Sequence, residues 1–128
     1  MTAEERLALA ETVAQELNSI SVRLGARDRP FTVQGADPNE VKKTYSFLCA
    51  TRDVARTLTL VKALQTSAFA QRSRRTAGYY RIIQQVLEGR LSKLPVPEAI
   101  DVLGWACRLQ NYHRWTRGVW HRPLPFTH

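Results

Sequence analysis

The sequence predicts an all-α fold, a single-domain bundle of four to five helices with an irregular C-terminal tail over 118–128. Apolar residues recur at steps of three and four through every long segment, and none of these long segments alternates apolar and polar residues. Hydrophobic residues make up 44% of the 128 residues, with only six Gly and six Pro. This composition favours one folded domain with a modest core over 1–128.

The first helix begins with a capping-box pattern, in which Thr2 is followed three residues later by Glu5. Its apolar positions are Ala10, Val13, Leu17, Ile20 and Leu24. Gly25 is expected to end it, since glycine tolerates the left-handed backbone of a helix C-terminus. The polar segment that follows is interrupted by Pro30 and Gly35, so we expect an internal loop over 26–37.

The second helical region begins with an N-cap aspartate and a proline at the first helical position, Asp37 and Pro38. Neither Pro nor Gly interrupts the chain from there to about residue 70. A bend over 51–53 would divide this region into two helices, because β-branched and short polar residues cluster there. The arginine-rich run over 71–75 is predicted to connect it to the next helix.

The next helix is expected over 76–88, with Gly89 at its end. Two prolines, Pro95 and Pro97, then predict an extended corner before a last helix from Pro97 to about Trp115. That helix is apolar on almost every side, including Trp105, so we expect it at the centre of the bundle. The tail over 118–128 contains two further prolines and is predicted to be non-helical.

Charge is divided by position along the chain. Residues 1–40 hold four Lys/Arg and seven Asp/Glu, a net of −3, whereas residues 41–128 hold fifteen and four, a net of +11. A surplus of this size attracts polyanions, and the usual polyanion in a cell is nucleic acid. A solvated basic surface without a partner is the alternative.

Basic residues on exposed helix faces and at the 71–75 connection are the candidate contacts to phosphates. The candidates are Lys42, Arg52, Arg56, Arg72, Arg74, Arg75, Arg81 and Arg108. Aromatic and basic residues alternate near the C-terminus, from Tyr112 to Arg122, where they could stack on bases or fold back over the bundle. The sequence contains no helix-turn-helix, RNP, KH or zinc-finger signature, so we expect backbone contact without sequence preference.

Catalysis finds little support in the sequence. His113, His121 and His128 lack metal-ligand spacing, and no phosphate loop or nucleophile elbow is present. Glu98 and Asp101 could pair on one helix face, but acidic residues are common in a first helical turn for electrostatic reasons. We therefore expect no enzyme activity, no cofactor and no metal.

Two further features concern the compartment. Cys49 and Cys107 each lie within an apolar helical pattern and are predicted to be buried small hydrophobes. The sequence contains neither a secretory signal pattern nor an apolar run of the roughly twenty residues that span a membrane. A cytoplasmic protein that does not contact membranes is expected.

The final predicted helix contains the residues VLGWACRLQNYH over 102–113. With its size, helix content and basicity, the chain resembles, over residues 38–115, the small subunits of CRISPR effector complexes. The resemblance implies a non-catalytic helical bundle that contacts guide or target strand through basic helix faces and packs against copies of itself and a larger subunit. The acidic first helix would suit a basic neighbour, although an ordinary solvated face explains its glutamates equally well.

The expected function is therefore sequence-independent binding of single-stranded or hybrid nucleic acid within a larger ribonucleoprotein. Two alternatives remain open. A protein-interaction adaptor would use the basic faces to meet acidic partners and would bind RNA weakly. A small DNA-binding regulator would prefer a duplex of defined sequence.

Overall fold

The computed structural model describes residues 1–68, 70 and 73–121, with side chains described up to residue 113. Five α-helices and one two-stranded hairpin make up this part of the chain. In order they are α1 (Ala3–Ser19), β1 (Ser21–Leu24), β2 (Phe31–Gln34), α2 (Pro38–Thr51), α3 (Val54–Gln65), α4 (Arg74–Val86), a π-helical segment (Leu87–Leu91) and α5 (Val96–His121). The predicted helical class is confirmed, and the hairpin is its one exception among the described residues.

Helix α1 begins as predicted, with the reciprocal hydrogen bonds of a capping box between Thr2 and Glu5. It ends at Ser19, however, and not at Gly25. The chain returning from the hairpin explains the early end, because the Gly35 and Ala36 N–H groups donate to the Ile20 and Leu17 carbonyls at 2.9 and 2.7 Å. These bonds satisfy carbonyls that a continuing helix would have used.

The predicted loop over 26–37 is therefore partly wrong, since an antiparallel hairpin occupies much of 21–34. Val22 pairs with Val33 and Leu24 with Phe31, and these four side chains lie on the packed face of the hairpin. The intervening strand residues are exposed. Alternation was present in the sequence, but Ile20 and Leu24 also fit the period of the preceding helix.

Glycine is required at two positions of the hairpin, directly after β1 and directly after β2. Gly25 has φ +93°, and a Cβ there would lie 2.6 Å from the Arg29 carbonyl oxygen. Gly35 has φ +77°, and its Cβ would lie 2.7 Å from the Asn18 carbonyl oxygen. Side chains at either position would strain the backbone and collide with it.

The boundary between α2 and α3 confirms the predicted bend. Asp37 caps α2 by accepting from the Asn39 N–H, and Pro38 occupies the first turn. Arg52 follows the helix in a left-handed conformation with φ 53°, and Asp53 caps α3 by accepting from the Arg56 N–H at 3.1 Å. The short acidic side chain thus replaces the helical bonds that are lost at the break.

Helix α4 does not end at Gly89 as predicted. The backbone continues through Gly89 as a π-helical segment, in which the Ser92 N–H donates to the Leu87 carbonyl at 2.9 Å. Leu87 and Leu91 are both buried. Burial of these two leucines outweighs the tendency of Gly to end a helix, and the chain continues with the wider turn of a π-helix.

Helix α5 packs mainly on α1 and α2. The prediction that it is buried on nearly every side is wrong at Trp105, which is 42% exposed, because its partners cover only part of its circumference. It also continues past 115 to His121, so residues 118–121 are helical where a tail was predicted. Gly118 costs a helix only about 1 kcal/mol, and the first residue that cannot continue it is Pro123. Residues 122–128 lie outside the described part.

The core is built mainly of aliphatic side chains from every helix and from the hairpin. Its largest fully buried members include Leu17, Leu48, Val61, Ile82, Ile83, Leu87, Leu91 and Leu103. Among the described residues, none of the helices is long and apolar enough to cross a membrane.

A buried polar joint connects α1, the end of the hairpin and α5. Gln110 is fully buried, and its side-chain amide donates to the Ala36 carbonyl at 2.7 Å. The Asn18 amide donates to the Gln110 backbone carbonyl at 3.3 Å. Directional bonds at this point specify how the hairpin and α5 meet the end of α1.

Candidate nucleic-acid interface

The predicted phosphate contacts that the structure describes are all exposed. They are Lys42, Arg52, Arg56, Arg74, Arg75, Arg81 and Arg108. Arg72 lies outside the described residues. None of the seven forms an ion pair with an acid in the described part of the chain. Their charges are therefore not neutralised by this portion of the protein.

Lys42 and Arg108 are far apart in the sequence, but they line one groove between α2 and α5. The groove has a volume of about 330 Å³, and Tyr45, Ser46, Gly104 and Cys107 complete its lining. A smaller hollow of about 170 Å³ shares Tyr45, Gly104 and Arg108 and adds Trp105 and Asp101. The two cations thus face the same concave surface.

Gly104 allows α2 and α5 to approach at this groove. A Cβ at this position would lie 2.9 Å from the Tyr45 hydroxyl oxygen and 3.1 Å from two of its ring carbons. The Tyr45 ring therefore lies directly over the glycine. The absence of a side chain here creates the space in which Tyr45 packs.

An aromatic and basic ridge borders the groove on α5. Trp105, Arg108 and Tyr112 are spaced three and four residues apart, which places them on one helix face. The Arg108 guanidinium carbon lies 5.1 Å from the centroid of the Trp105 ring, within the range of a cation–π contact. Tyr112 is 61% exposed and contacts His113 edge to face.

A second basic region joins the start of α4 to the hairpin. The Arg74 guanidinium carbon lies 4.9 Å from the centroid of the Phe31 ring. The hairpin packs on α4 at Gly78, where Val33 and Leu24 fill the space that a side chain would need. This contact brings the exposed arginines of the hairpin to the region that contains Arg74 and Arg75.

Sequence reasoning missed the hairpin arginines Arg23, Arg27 and Arg29. All three are exposed, and no described acid pairs with them. They were grouped with the acidic N-terminal part of the chain, although the fold places them beside α4. The alternation of Val22, Leu24, Phe31 and Val33 was the signal that could have identified them.

Arg52 and Arg56 lie at the junction of α2 and α3. Lys42 and Arg52 are about 15 Å apart along the α2 axis at a rise of ~1.5 Å per residue. Arg52 and Arg56 therefore do not belong to the cluster that contains Lys42 at the groove. Arg81 is exposed on α4, about 10 Å along the axis from Arg74 by the same rise.

The four acidic residues of the basic part of the chain, residues 41–128, each form a hydrogen bond or an ion pair within the protein. Asp53 caps α3, and Glu88 accepts from the Gln84 amide at 2.6 Å. Asp101 pairs with Arg6 at 3.3 Å, and Glu98 pairs with the N-terminal amine at 3.2 Å. Glu98 and Asp101 are thus paired with cations near the N-terminus, contacts that the sequence alone did not predict.

The acidic helix α1 also uses part of its charge internally. Arg90 donates two hydrogen bonds to Glu16, at 3.0 and 2.8 Å, and this contact lowers the pKa of the Glu16 carboxyl. Glu5 completes the capping box, and the backbone hydrogen bond from Thr2 holds its pKa below the usual value. Glu4 and Glu11 remain exposed.

The cysteine in the groove is a poor nucleophile. Cys107 is buried, and desolvation raises the pKa of its thiol to about 11, so it stays protonated near neutral pH. Cys49 is half-buried rather than buried, and both thiols are free. No group of three or more His, Cys, Asp or Glu among the described residues is arranged to hold a metal ion.

One buried carboxylate has a structural explanation. Glu40 accepts a hydrogen bond from the Tyr80 hydroxyl and pairs with Lys43 at 3.4 Å. Burial, followed by the bond to Glu40, raises the pKa of Tyr80. The hydrogen bond between Glu40 and Tyr80 connects α2 with α4.

Comparison with protein-family models, with curated proteins and with solved structures finds no match to this chain.

Proposed function

We propose that this protein is a non-catalytic subunit of a larger ribonucleoprotein that binds the backbone of single-stranded or hybrid nucleic acid without sequence preference. The small subunit of a CRISPR effector complex, which would stabilise guide or target strand, is the assembly role that we favour. Its partners would be nucleic acid and other subunits, including copies of itself, in the cytoplasm.

The observation that carries the proposal is the set of exposed cations that form no ion pair with an acid of the described residues. Lys42 and Arg108 converge on the α2–α5 groove, and Arg74 and Arg75 lie beside the basic hairpin. Nearby acids are occupied by caps and by Arg6. Cations that form no ion pair on a folded surface gain most from a polyanion, because their contacts to phosphates release the counterions condensed on the nucleic acid.

The side chains involved favour phosphate contact over base reading. The candidate residues are distributed over α2, α3, α4, α5 and the hairpin, and among the side chains that the structure describes no helix presents a compact row of base-reading residues. Long Arg and Lys side chains on such a surface adapt to a flexible strand. Affinity should therefore depend on phosphate number and salt rather than on sequence.

A pair of charge-reversal variants with equal net charge tests the proposal. Lys42→Glu with Arg75→Glu alters two proposed contacts, and Lys62→Glu with Lys93→Glu alters two exposed lysines outside the proposed set. Each pair lowers the net charge of +8 by four, to +4. The first pair should weaken binding to every single-stranded sequence by a similar factor and flatten the salt dependence by ~0.7 per lost contact.

Filter binding at several salt concentrations measures both quantities. Equal losses in the two pairs would mean that net charge alone acts, and an unchanged affinity in the first pair would remove Lys42 and Arg75 from the interface. A folded wild type that fails to bind RNA or single-stranded DNA even at low salt would favour the protein-interaction adaptor. A strong preference for one duplex sequence would favour the regulator.

A further inference from the structure

The groove between α2 and α5 differs from the other basic regions because it combines cations, a ring and a cavity. Lys42 and Arg108 line it, and Trp105, which is 42% exposed, lines the adjoining smaller hollow that shares Arg108 with the groove. Its volume of about 330 Å³ reaches the lower end of the ~300–1,000 Å³ range of small-ligand sites. A phosphate contact alone requires no such space.

Arg108 has two roles in this groove. Its guanidinium lies over the Trp105 ring, 5.1 Å from the centroid, while the same side chain lines the groove. A guanidinium held against an indole is ordered, and its planar surface accepts a stacked base as an aromatic ring does. Tyr112, which continues the ridge on the same helix face, extends the apolar surface towards the C-terminus.

The electrostatics of the groove suit an anion beside the base. Asp101, the acid that borders the smaller hollow, is paired with Arg6 at 3.3 Å, so its charge is largely compensated. Lys42 carries the second positive charge on the opposite wall, and no described acid pairs with it. One wall thus provides a stacking surface and the other provides a cation.

We propose that this groove holds one unpaired nucleotide of the bound strand, with its base stacked on the Arg108–Trp105 pair and its phosphate at Lys42. The inference rests on the proposed function and adds a base-dependent contact to it. A base inside a duplex is already stacked on both sides, so this site selects single strands. Any of the bases would fit, since each has a π-face.

The decisive variant is Arg108→Lys, because it retains the charge and removes the stacking plane. Its binding is compared with that of wild type on two single-stranded DNA oligonucleotides of equal length, one of mixed sequence and one with abasic sites throughout. Arg90→Lys, which retains the charge of an arginine outside the proposed interface, is the control. Trp105→Leu, checked for folding by its thermal unfolding, removes the ring beneath the guanidinium.

Wild type should prefer the base-bearing strand, and Arg108→Lys should reduce this preference by about 5- to 150-fold, the range expected for loss of one stacked base. Affinity for the abasic strand should stay within about twofold in that variant, because the phosphate attraction is unchanged. Trp105→Leu should lose the same preference, and Arg90→Lys should retain it.

The outcomes separate the two proposals. If Arg108→Lys keeps the full preference for the base-bearing strand, the nucleotide site is overturned and backbone binding stands. Equal affinity of wild type for the base-bearing and abasic strands would also overturn the nucleotide site and leave the proposed backbone binding intact. If wild type binds neither strand at low salt, the proposed function itself fails.

Discussion

Helix α1 and the β1–β2 hairpin are neighbours in the sequence but use their charged residues in opposite ways. In α1, Glu16 binds Arg90 and Arg6 binds Asp101, so the charges connect helices to one another. In the hairpin, Arg23, Arg27 and Arg29 are exposed and have no acidic partner among the described residues. Charge near α1 supports the fold, whereas charge on the hairpin is available for a partner.

This contrast between α1 and the hairpin shows that the chain does not divide simply into an acidic N-terminal part and a basic remainder. Residues 1–40 have a net charge of −3, but the hairpin residues within them belong by contact to the basic start of α4. The boundary between the two kinds of surface therefore follows the packing rather than the residue number. Four variants test this comparison, in order of decreasing effect on the free energy of unfolding.

Breaking the joint between the two regions should have the largest effect. Gln110→Ala removes the amide that donates to the Ala36 carbonyl and leaves a cavity in the core. We expect a loss of about 2–4 kcal/mol in the free energy of unfolding, from the cavity and the unpaired carbonyl together. Urea denaturation measures it, with the exposed neighbour Asn111→Ala as control. Equal stabilities for the two variants would contradict the role of the joint.

Separating the hairpin from α4 should have the next largest effect. The Cβ of Gly78→Ala would lie 2.6 Å from a methyl carbon of Val33 and 2.7 Å from its Cβ. Overpacking costs about 1–3 kcal/mol, and the better helix propensity of Ala recovers about 1 kcal/mol, so a net loss of up to ~2 kcal/mol is expected.

Gly89→Ala is the matched control for this change, because a Cβ at Gly89 has no atom within 4 Å. It should leave thermal stability unchanged or raise it slightly. A Gly78→Ala variant at least as stable as Gly89→Ala would mean that the hairpin does not pack closely on α4.

Removing a charge from α1 should have a smaller and pH-dependent effect. Glu16→Gln breaks the pair with Arg90, and exposed pairs contribute about 0.2–1 kcal/mol. The pKa of Glu16 is lowered in the folded state, so its contribution is present above the ordinary glutamate pKa and is lost as the pH falls through the folded value.

Chemical denaturation at neutral and acidic pH measures the contribution of Glu16. The difference between wild type and Glu16→Gln should shrink at acidic pH, and Glu11→Gln, an exposed change on the same helix, should show no such difference. If the difference in the free energy of unfolding between wild type and Glu16→Gln stays constant with pH, the contribution of Glu16 is not electrostatic.

Neutralising the hairpin should have the smallest effect on folding. Arg27→Gln with Arg29→Gln changes two exposed residues and should alter the free energy of unfolding by less than about 0.5 kcal/mol. If the hairpin contacts phosphates, the same variant should flatten the salt dependence of binding by ~0.7 per contact, and Arg27→Lys with Arg29→Lys should not. A destabilised Gln variant would show that these charges support the fold after all.

Several local features could be read from the sequence because they depend on neighbouring residues alone. The capping box of Thr2 and Glu5, the start of α2 at Asp37 and Pro38, and the break before Asp53 are all confirmed. Each arises from side chains that bond to the adjacent backbone, or from a ring that fixes one dihedral angle. Exposure of Lys42, Arg56 and Arg81 followed from helical periodicity in the same way.

Tertiary structure decided two kinds of feature. In one, the local sequence suits two different backbone conformations; in the other, residues far apart in the sequence come into contact. Residues 20–24 suit a helix or a strand, and the bonds from Gly35 and Ala36 to the end of α1 select the strand. Gly89 would end a helix in isolation, but the burial of Leu91 continues it as a π-turn. Lys42 and Arg108 share a groove only because Tyr45 packs against Gly104, a contact between helices that no periodicity within one of them records.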